Sequence, residues 1–234
     1  CVQAASDQTT VELKLSQGTR RYDYAYQVLD LVNQKRAKKN LSPVTMDKNL
    51  LECAMPRAEE LTVFASLNRP NGSSCFSAFP YFADPSENLA INQSTPEEVM
   101  EIWGKSSGHY ANIINSSNVS AGIGCYSQNG HLYWIQCFTS HKAETCTQPA
   151  NQNVSPVISA LPDLVDLHFD ASSPVLKFHD RTLAEGKDYA ISFSNNQNSG
   201  LGSFTITGLG FYSGTLPHRL QCSTFGRIGL NHRV

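Results

Sequence analysis

The residues best suited to chemistry in this sequence are His109 and Glu87, an imidazole and a carboxylate in neighbouring segments. Ser106 and Ser107 stand shortly before the histidine and add two hydroxyl groups. A serine nucleophile needs a base within hydrogen-bond reach and a third group that orients the base, and these residue types meet that need. The same imidazole and carboxylate are ligands that zinc accepts. The pattern is therefore compatible with a hydrolytic site or a metal site.

A structural interpretation explains the same residues without chemistry. Serines that precede a helix commonly cap its free backbone N–H groups, and His109 stands at the start of a short predicted helix. His109 would then hydrogen-bond Glu87 only to hold two elements together. The metalloprotease motif His-Glu-x-x-His does not occur in the sequence. We favour this structural interpretation and keep the hydrolytic one open.

Three helical segments must position these residues. Apolar spacing predicts a helix over residues 22–39 and a second one from about 47 to 64. Pro56 is expected to kink the second helix or split it in two. Thr95 and Pro96 supply an N-cap and a first-turn signal for the third segment. We interpret the basic cluster that closes the first helix as a solvated helix end: Lys35, Arg36, Lys38 and Lys39.

Strands follow the helices. Residues 119–126 and 131–138 are predicted to form a hairpin around Asn129 and Gly130, a strong two-residue turn signal. Val11, Leu13 and Leu15 alternate like a short strand near the amino end. After about residue 141 the composition changes, and three further segments have strand character: 176–178, 189–193 and 204–206.

Six short motifs occur in an order that resembles one known family. They are Val32 to Arg36, Arg57 to Glu60, Arg69 to Gly72, Glu87 to Ala90, Trp103 to His109 and Gly122 to Gly124. Their order over about residues 22–140 resembles the CAP superfamily: cysteine-rich secretory proteins, antigen 5, pathogenesis-related proteins and bacterial SCP-like relatives. The resemblance implies the α+β class, with a CAP-type α-β-α sandwich. It also implies a cavity lined by two histidines and two carboxylates, which bind a divalent metal in some members.

Only half of that set of four is present here. Glu87 and His109 match one carboxylate and one histidine, whereas Leu67 stands where the other histidine is expected. The second carboxylate would fall near Ser106. Zinc binding through His109 and Glu87 is therefore expected to be weak or absent, because a zinc site needs three or four ligands. The expected ligand cleft comprises Glu87, His109, Asn88, Arg69 and Ser106.

The chain has seven cysteines and no Cys-x-x-Cys pair, which favours disulfides over a structural zinc site. The family joins the cysteines that correspond to Cys125 and Cys137, so we expect that disulfide. A strict hairpin register would not place them opposite each other, so we also expect a bulge. Two more pairs are expected, Cys53–Cys75 across a long loop and Cys146–Cys222 around the second domain. Cys1 is either a lipid anchor, as in bacterial lipoproteins, or a disulfide-bonded or merely terminal residue.

The second half resembles a bacterial immunoglobulin-like surface repeat over about residues 174–216, with the pattern Leu-x-Glu-Gly-x-Asp-Tyr followed by Ile-Thr-Gly-x-Gly-x-Tyr-x-Gly. This implies a small all-β sandwich that acts as a spacer or adhesion module. The predicted organisation is an N-terminal segment 1–21, a CAP domain 22–145, an immunoglobulin-like domain 146–222 and a tail 223–234.

Bulk composition excludes some functions. The net charge of −2, from 18 basic and 20 acidic residues, comes without the basic stripe that nucleic-acid binding requires. No apolar run approaches the roughly 20 residues of a membrane span. The 40% hydrophobic residues indicate a globular chain with a sizeable core. The absence of a signal peptide is what we expect of a mature exported protein.

These observations lead to one expected function and two alternatives. The first is a secreted or surface-attached bacterial CAP protein, not an enzyme, that binds a small molecule, glycan, peptide or host or cell-wall component. The cleft around Glu87 and His109 would hold that ligand. One alternative is a hydrolase, specifically a protease, that uses His109 and Glu87 with a serine or a metal. The other is a lipid- or sterol-binding protein. The sequence does not indicate an oligomeric state.

Overall fold

The structure is a computed structural model that divides the chain into two compact units. The first unit comprises residues 16–69 and 73–156, and the second comprises residues 1–15, 70–72 and 157–234. The described residues are 10–79, 84–165, 167–170, 175–179, 181–194, 200–210, 212–213, 215–222 and 228–229. Among them, no helix is long and apolar enough to cross a membrane.

The first unit has helices on both faces of one sheet. The helices are α1 (Tyr22–Ala37), α2 (Lys48–Glu60), α3 (Pro96–Lys105) and α4 (Ser107–Ile113), with a short 3₁₀-helix at Cys75–Ala78. The strands are β2 (Gly18–Arg20), β3 (Thr45–Met46), β4 (Ser86–Ile91), β5 (Ser120–Gln128), β6 (His131–Thr139) and β7 (Gln152–Val154). The sheet order is β4-β6-β5-β2-β7, and β3 pairs in parallel with β5. This arrangement agrees with the expected α-β-α layers.

Two apolar cores hold these layers together. On one face, Val28 of α1 and Trp103 of α3 pack against sheet residues such as Ile123. On the other face, Leu50 and Ala54 of α2 pack in a second core, with the sheet residues Tyr126, Ile135 and Cys137. The glycines of the Gly-x-Gly motif, Gly122 and Gly124, permit this contact, because a Cβ at either position would overlap the backbone of α2.

Helix α2 corrects one expectation about Pro56. The helix runs without a break from Lys48 to Glu60 with the proline inside it, so it is not split. Asp47 caps the helix by accepting a hydrogen bond from the backbone N of Leu50 at 2.8 Å. Proline costs the helix one backbone hydrogen bond. The burial of the apolar face of α2 against the sheet explains why the helix persists.

The β5–β6 hairpin has the predicted turn but lacks the predicted disulfide. Gln128 pairs with His131 around Asn129 and Gly130, whose φ angles of 51° and 81° suit a type I′ turn. The register continues without interruption to the far end of the hairpin, so the expected bulge is absent from it. Cys125 lies opposite Trp134, whereas Cys137 lies opposite Gly122. The odd offset puts the two sulfurs on opposite faces of the sheet, so they cannot form a disulfide.

The other expected disulfides are not formed either. Cys53, Cys75 and Cys146 are free thiols in the structure. Ion pairs, described below, hold the loop that we expected the Cys53–Cys75 disulfide to pin. The Sγ of Cys146 lies 3.2 Å from the hydroxyl of Tyr26. The side chain of Cys222 and the whole of Cys1 lie outside the described residues.

The second unit consists of strands in its described part. They are β1 (Val11–Lys14), β8 (Val157–Ala160), β9 (Leu167–Asp170), β10 (Val175–Phe178), β11 (Arg181–Thr182), β12 (Tyr189–Ser194), β13 (Gly200–Gly208), β14 (Tyr212–Ser213), β15 (Thr215–Cys222) and β16 (Ile228–Gly229). Their sheet orders are β14-β1-β8, β11-β10-β9 and β12-β13-β15-β16. The short strand expected near the amino end is therefore present as β1, and it pairs within this unit.

Candidate functional site

Helix α3 leads the chain to the site and is fixed at both ends. Thr95 Oγ1 accepts a hydrogen bond from the backbone N of Glu98 at 3.1 Å, so the expected N-cap is confirmed. Near the other end, the fully buried Trp103 donates its indole N–H to the carbonyl oxygen of Leu89 at 3.1 Å. That carbonyl belongs to β4, an edge strand of the sheet. The bond therefore fixes α3 to the strand that carries Glu87 and Asn88.

His109 is the third residue of α4. Ser106 is the N-cap, and its Oγ accepts a weak hydrogen bond from the backbone N of His109 at 3.5 Å. The side chain of His109 is half-buried, and its Nδ1 atom is shielded from water without a hydrogen-bond partner among the described residues. Burial lowers the pKa of His109 below its ordinary value, so the ring is neutral at pH 7. The site therefore offers an uncharged imidazole.

Asn88 connects α4 to the sheet. Its Nδ2 atom donates to the carbonyl oxygen of His109 at 3.0 Å and to Oε1 of Gln136 at 2.9 Å. Its Oδ1 atom accepts from Nδ2 of Asn112 at 2.8 Å. Asn88 is completely buried. We expected this amide in the ligand cleft, but these three bonds go to other parts of the protein.

Arg36 holds the other end of α4, and the sequence interpretation missed it. Its guanidinium donates to the carbonyl oxygens of Ile113 at 2.9 Å, Asn115 at 2.8 Å and Asn118 at 3.2 Å. A fourth bond reaches the carbonyl oxygen of Ser42 at 2.8 Å. Arg36 is fully buried, so the expectation of a solvated basic helix end is wrong at this position. Its place in the Val-Asn-x-x-Arg motif was the available signal.

Glu87 points to the opposite face of β4. It pairs in register with Cys137, which belongs to the core packed by α2. Its two carboxylate oxygens accept from Nε and Nη2 of Arg57, each at 3.2 Å. Burial raises the pKa of Glu87, and it outweighs the opposing effect of Arg57. Among the described residues, the partner of Glu87 is thus Arg57 and not His109. From the sequence, Arg57 was named only as part of a family motif.

A second ion pair holds the loop before β4. Arg69 donates from Nε to the carboxylate of Glu60 at 3.0 and 3.1 Å, and from Nη1 to Ser77 Oγ at 3.2 Å. Arg57 also donates to the carbonyl oxygen of Ser66 at 2.5 Å. Arg69, expected in the ligand cleft, is therefore engaged in fixing this loop. Leu67, which stands in place of the family's histidine, is 56% exposed.

These contacts show whether the residues present could hold the divalent metal that the family resemblance implies. Among the described residues, no group of three or more His, Cys, Asp or Glu side chains is placed to hold a metal ion. The carboxylate of Glu87 is bound by Arg57, and the hydroxyl of Ser106 caps α4. The residues present therefore do not fit the family's metal set. The hydroxyl of Ser106 contacts the main-chain N of His109 and not its ring, so the two residues do not resemble a nucleophile–base pair.

Comparisons with known proteins point to the same family as the sequence motifs. Residues 29–138 match the model of the cysteine-rich secretory protein family, CAP. The uncharacterized protein YkwD of Bacillus subtilis is 31% identical over 121 residues, which cover 49% of this chain and 46% of YkwD. A CAP (SCP-like) domain in this part of the chain is thus supported, and the chain spans less than half the length of YkwD.

Two solved structures also show similarity. One is an extracellular protein containing an SCP domain from Bacillus anthracis, with 22% identity, a TM-score of 0.46, and coverage of 50% of this chain and 40% of that one. The other is an outer surface protein from Borrelia burgdorferi, with 18% identity, a TM-score of 0.47, and coverage of 54% of this chain and 99% of that one.

Proposed function

We propose that this chain is an exported bacterial binding protein whose CAP domain recognises a polar, uncharged ligand group at the surface around His109. One observation carries the proposal: a half-buried, neutral imidazole whose Nδ1 atom has no hydrogen-bond partner among the described residues. A shielded polar atom without a partner costs free energy. A ligand hydroxyl or amide would recover that free energy when the half-buried ring turns Nδ1 outward to meet it.

In this proposal the other expected cleft residues have supporting roles. Glu87 and Arg69 fix β4 and the preceding loop through Arg57 and Glu60. Ser106 caps α4, and Asn88 binds its main chain. His109 is then the residue that contacts the ligand. Because its ring is neutral, it favours hydroxyl and amide groups over anions.

Cell-wall fragments are the ligand class that we would test first. Soluble muropeptides carry sugar hydroxyls and peptide amides, so they present both kinds of group that a neutral imidazole can bind. The ligand classes expected from the sequence, glycan, peptide and cell-wall component, meet in this one probe.

The test is thermal unfolding with and without purified muropeptides. A ligand that binds only the folded state raises the melting temperature, by an amount that grows with its concentration over Kd. We expect the wild type to show this rise and His109→Ala to lose it. His131→Ala is the matched control, because His131 is an exposed histidine of the same unit whose Nδ1 is bonded to Asn92. An equal rise in wild type and His109→Ala would overturn the proposed site.

Neither alternative function gains a specific observation. A hydrolase would cleave a substrate such as casein, and His109→Ala would abolish the cleavage while the protein stays folded. Lipid binding needs an apolar cavity of lipid size. A described cavity, in the second unit beside Leu13, Leu176 and Tyr189, measures about 20 Å³. That is room for about one water molecule.

The remaining parts of the proposal concern location and the second unit. The name of the matching family supports a secreted or surface location. The paired strands of the second unit are consistent with a small immunoglobulin-like sandwich that serves as a spacer or adhesion module. A lipid anchor at Cys1 stays a prediction. Mass spectrometry of the protein isolated from its own cells would detect the acyl chains.

A further inference from the structure

We propose that Asn88 is a positioning residue that fixes the main chain of α4 at His109 and so sets how the imidazole meets its ligand. This inference rests on the proposed binding role of His109. It assigns Asn88 a task different from ligand contact, and it gives one explanation for three polar residues that are far apart in sequence: Arg36, Asn88 and Asn112.

The first step in the argument is that α4 needs outside support. The helix covers only Ser107–Ile113, and so short a segment is not stable alone in water. Its N-cap bond from Ser106 is long, at 3.5 Å. Of its residues, Ile113 alone is fully buried. The position of His109 therefore depends on contacts that other elements make with α4.

The second step is that Asn88 supplies such a contact at His109 itself. The Nδ2 atom of Asn88 donates to the carbonyl oxygen of His109, and Oδ1 accepts from Asn112 one turn later. Gln136 on β6 takes the second Nδ2 hydrogen at 2.9 Å. Asn88 and Gln136 face each other in the β4–β6 register and are both fully buried. The helix is thus bonded to buried side chains on two paired strands of the sheet.

The third step is that the far end of α4 is held independently. Arg36 binds the carbonyl oxygens of Ile113, Asn115 and Asn118, and a cation is favourable at the carboxyl end of a helix. The side chain of Asn118 in turn donates to the carbonyl oxygen of Asn112 at 2.8 Å. With the carboxyl end fixed in this way, the bond from Asn88 determines where the amino-terminal half lies.

Only asparagine among small side chains can make this set of bonds. The amide offers two donors and an acceptor on one short stem. Aspartate would lose both donors, alanine would leave the amides of Asn112 and Gln136 without their partner, and glutamine would be too long for the space. The chemistry of the position therefore agrees with a main-chain clamp.

The experiment uses the whole, ligand-free chain and compares Asn88→Ala with Asn33→Ala. Asn33 is a matched control, because its side-chain amide also holds a main-chain segment: it donates to the carbonyl oxygen of Val44 at 3.0 Å and accepts from the N of Val44 at 2.9 Å. The readouts are the pKa of the His109 ring by NMR and its rate of acylation by diethyl pyrocarbonate, assigned by peptide mass spectrometry.

We expect Asn88→Ala to move the pKa of His109 up toward its ordinary value, because the ring becomes more exposed. Losing a buried hydrogen bond should raise the population of the displaced helix, and with it the acylation rate, about fivefold. Asn33→Ala should leave both quantities as in the wild type. Equal His109 behaviour in the two variants would overturn the positioning role, even if both proteins lost stability.

If Asn88→Ala does not fold, Asn112→Ala answers the same question. It removes a partner of Asn88 from the helix side and places alanine, a good helix former, on α4. The same two changes at His109, in the same direction and smaller, are expected, and no change would overturn the proposal. Both readouts concern the free protein, so a failure to bind muropeptides would contradict the proposed function without changing the measured positioning of His109 by Asn88.

Discussion

Glu87 and Asn88 are neighbours on β4 whose side chains face opposite layers of the first unit and bind different kinds of partner. Both are buried polar side chains that need partners. On the face covered by α2, Glu87 binds Arg57, and Glu60 binds Arg69. On the other face, Asn88 binds neutral amides and main-chain carbonyls. One face relies on charges and the other on amides.

The difference shows which face can carry a ligand site. On the ionic face, each described carboxylate of the network has an arginine, and together these residues fix the loop before β4. On the amide face, the network holds α4 but leaves Nδ1 of His109 without a described partner. An unsatisfied neutral group at a half-exposed position is better placed to bind a ligand than a buried, paired charge.

The largest expected effect is on the ionic face. Arg57→Ala leaves the carboxylate of Glu87 buried without its cation, and breaking a buried pair in this way costs about 3–5 kcal/mol of unfolding free energy. Urea unfolding followed by circular dichroism measures it. Lys105→Ala is the control, because its ion pair with Glu101 is exposed and solvent-screened and should contribute far less to stability. Similar losses in both variants would show that the buried network contributes nothing special.

The pH dependence of the ionic face is a subtler effect. The pKa of Glu87 is raised by burial above its ordinary value of 4.5. A raised carboxyl pKa gives stability that is fully present below pH 4.5 and is lost as the pH rises through the folded value. We therefore expect Glu87→Gln to change less in stability than the wild type between pH 4.5 and 7. Parallel curves would mean that Arg57 fully offsets the cost of burial.

The smallest expected effect, of opposite sign, is on the amide face. The pKa of His109 is lowered below 6.5 by burial. A lowered histidine pKa gives stability that is present above pH 6.5 and is lost as the pH falls through the folded value. His109→Gln should therefore lose less stability than the wild type on going from pH 7 to 5, by a small margin because the ring is half-exposed. A steeper loss in the variant would contradict the neutral imidazole.

Local signals in the sequence determined much of the secondary structure. Asp47 and Thr95 cap the helices that follow them, and Asn129 and Gly130 form the hairpin turn, because caps and turns involve residues only a few positions apart. The two-residue turn also predicted that Cys125 and Cys137 do not lie opposite each other, and the structure confirms this. The disulfide expected from the family resemblance was wrong. The alternating strands, including β1, follow from the same short-range pattern.

The partners of the polar residues were decided only by the tertiary structure. Nothing in the spacing pairs Glu87 with Arg57, Asn88 with His109, or Arg36 with the end of α4. Hydrophobic periodicity reports which face of an element is buried, but it does not report which distant element covers that face. A buried polar group must then bond to whatever packing brings within reach. For that reason the sequence identified the residues of the candidate site, whereas the fold assigned them their roles.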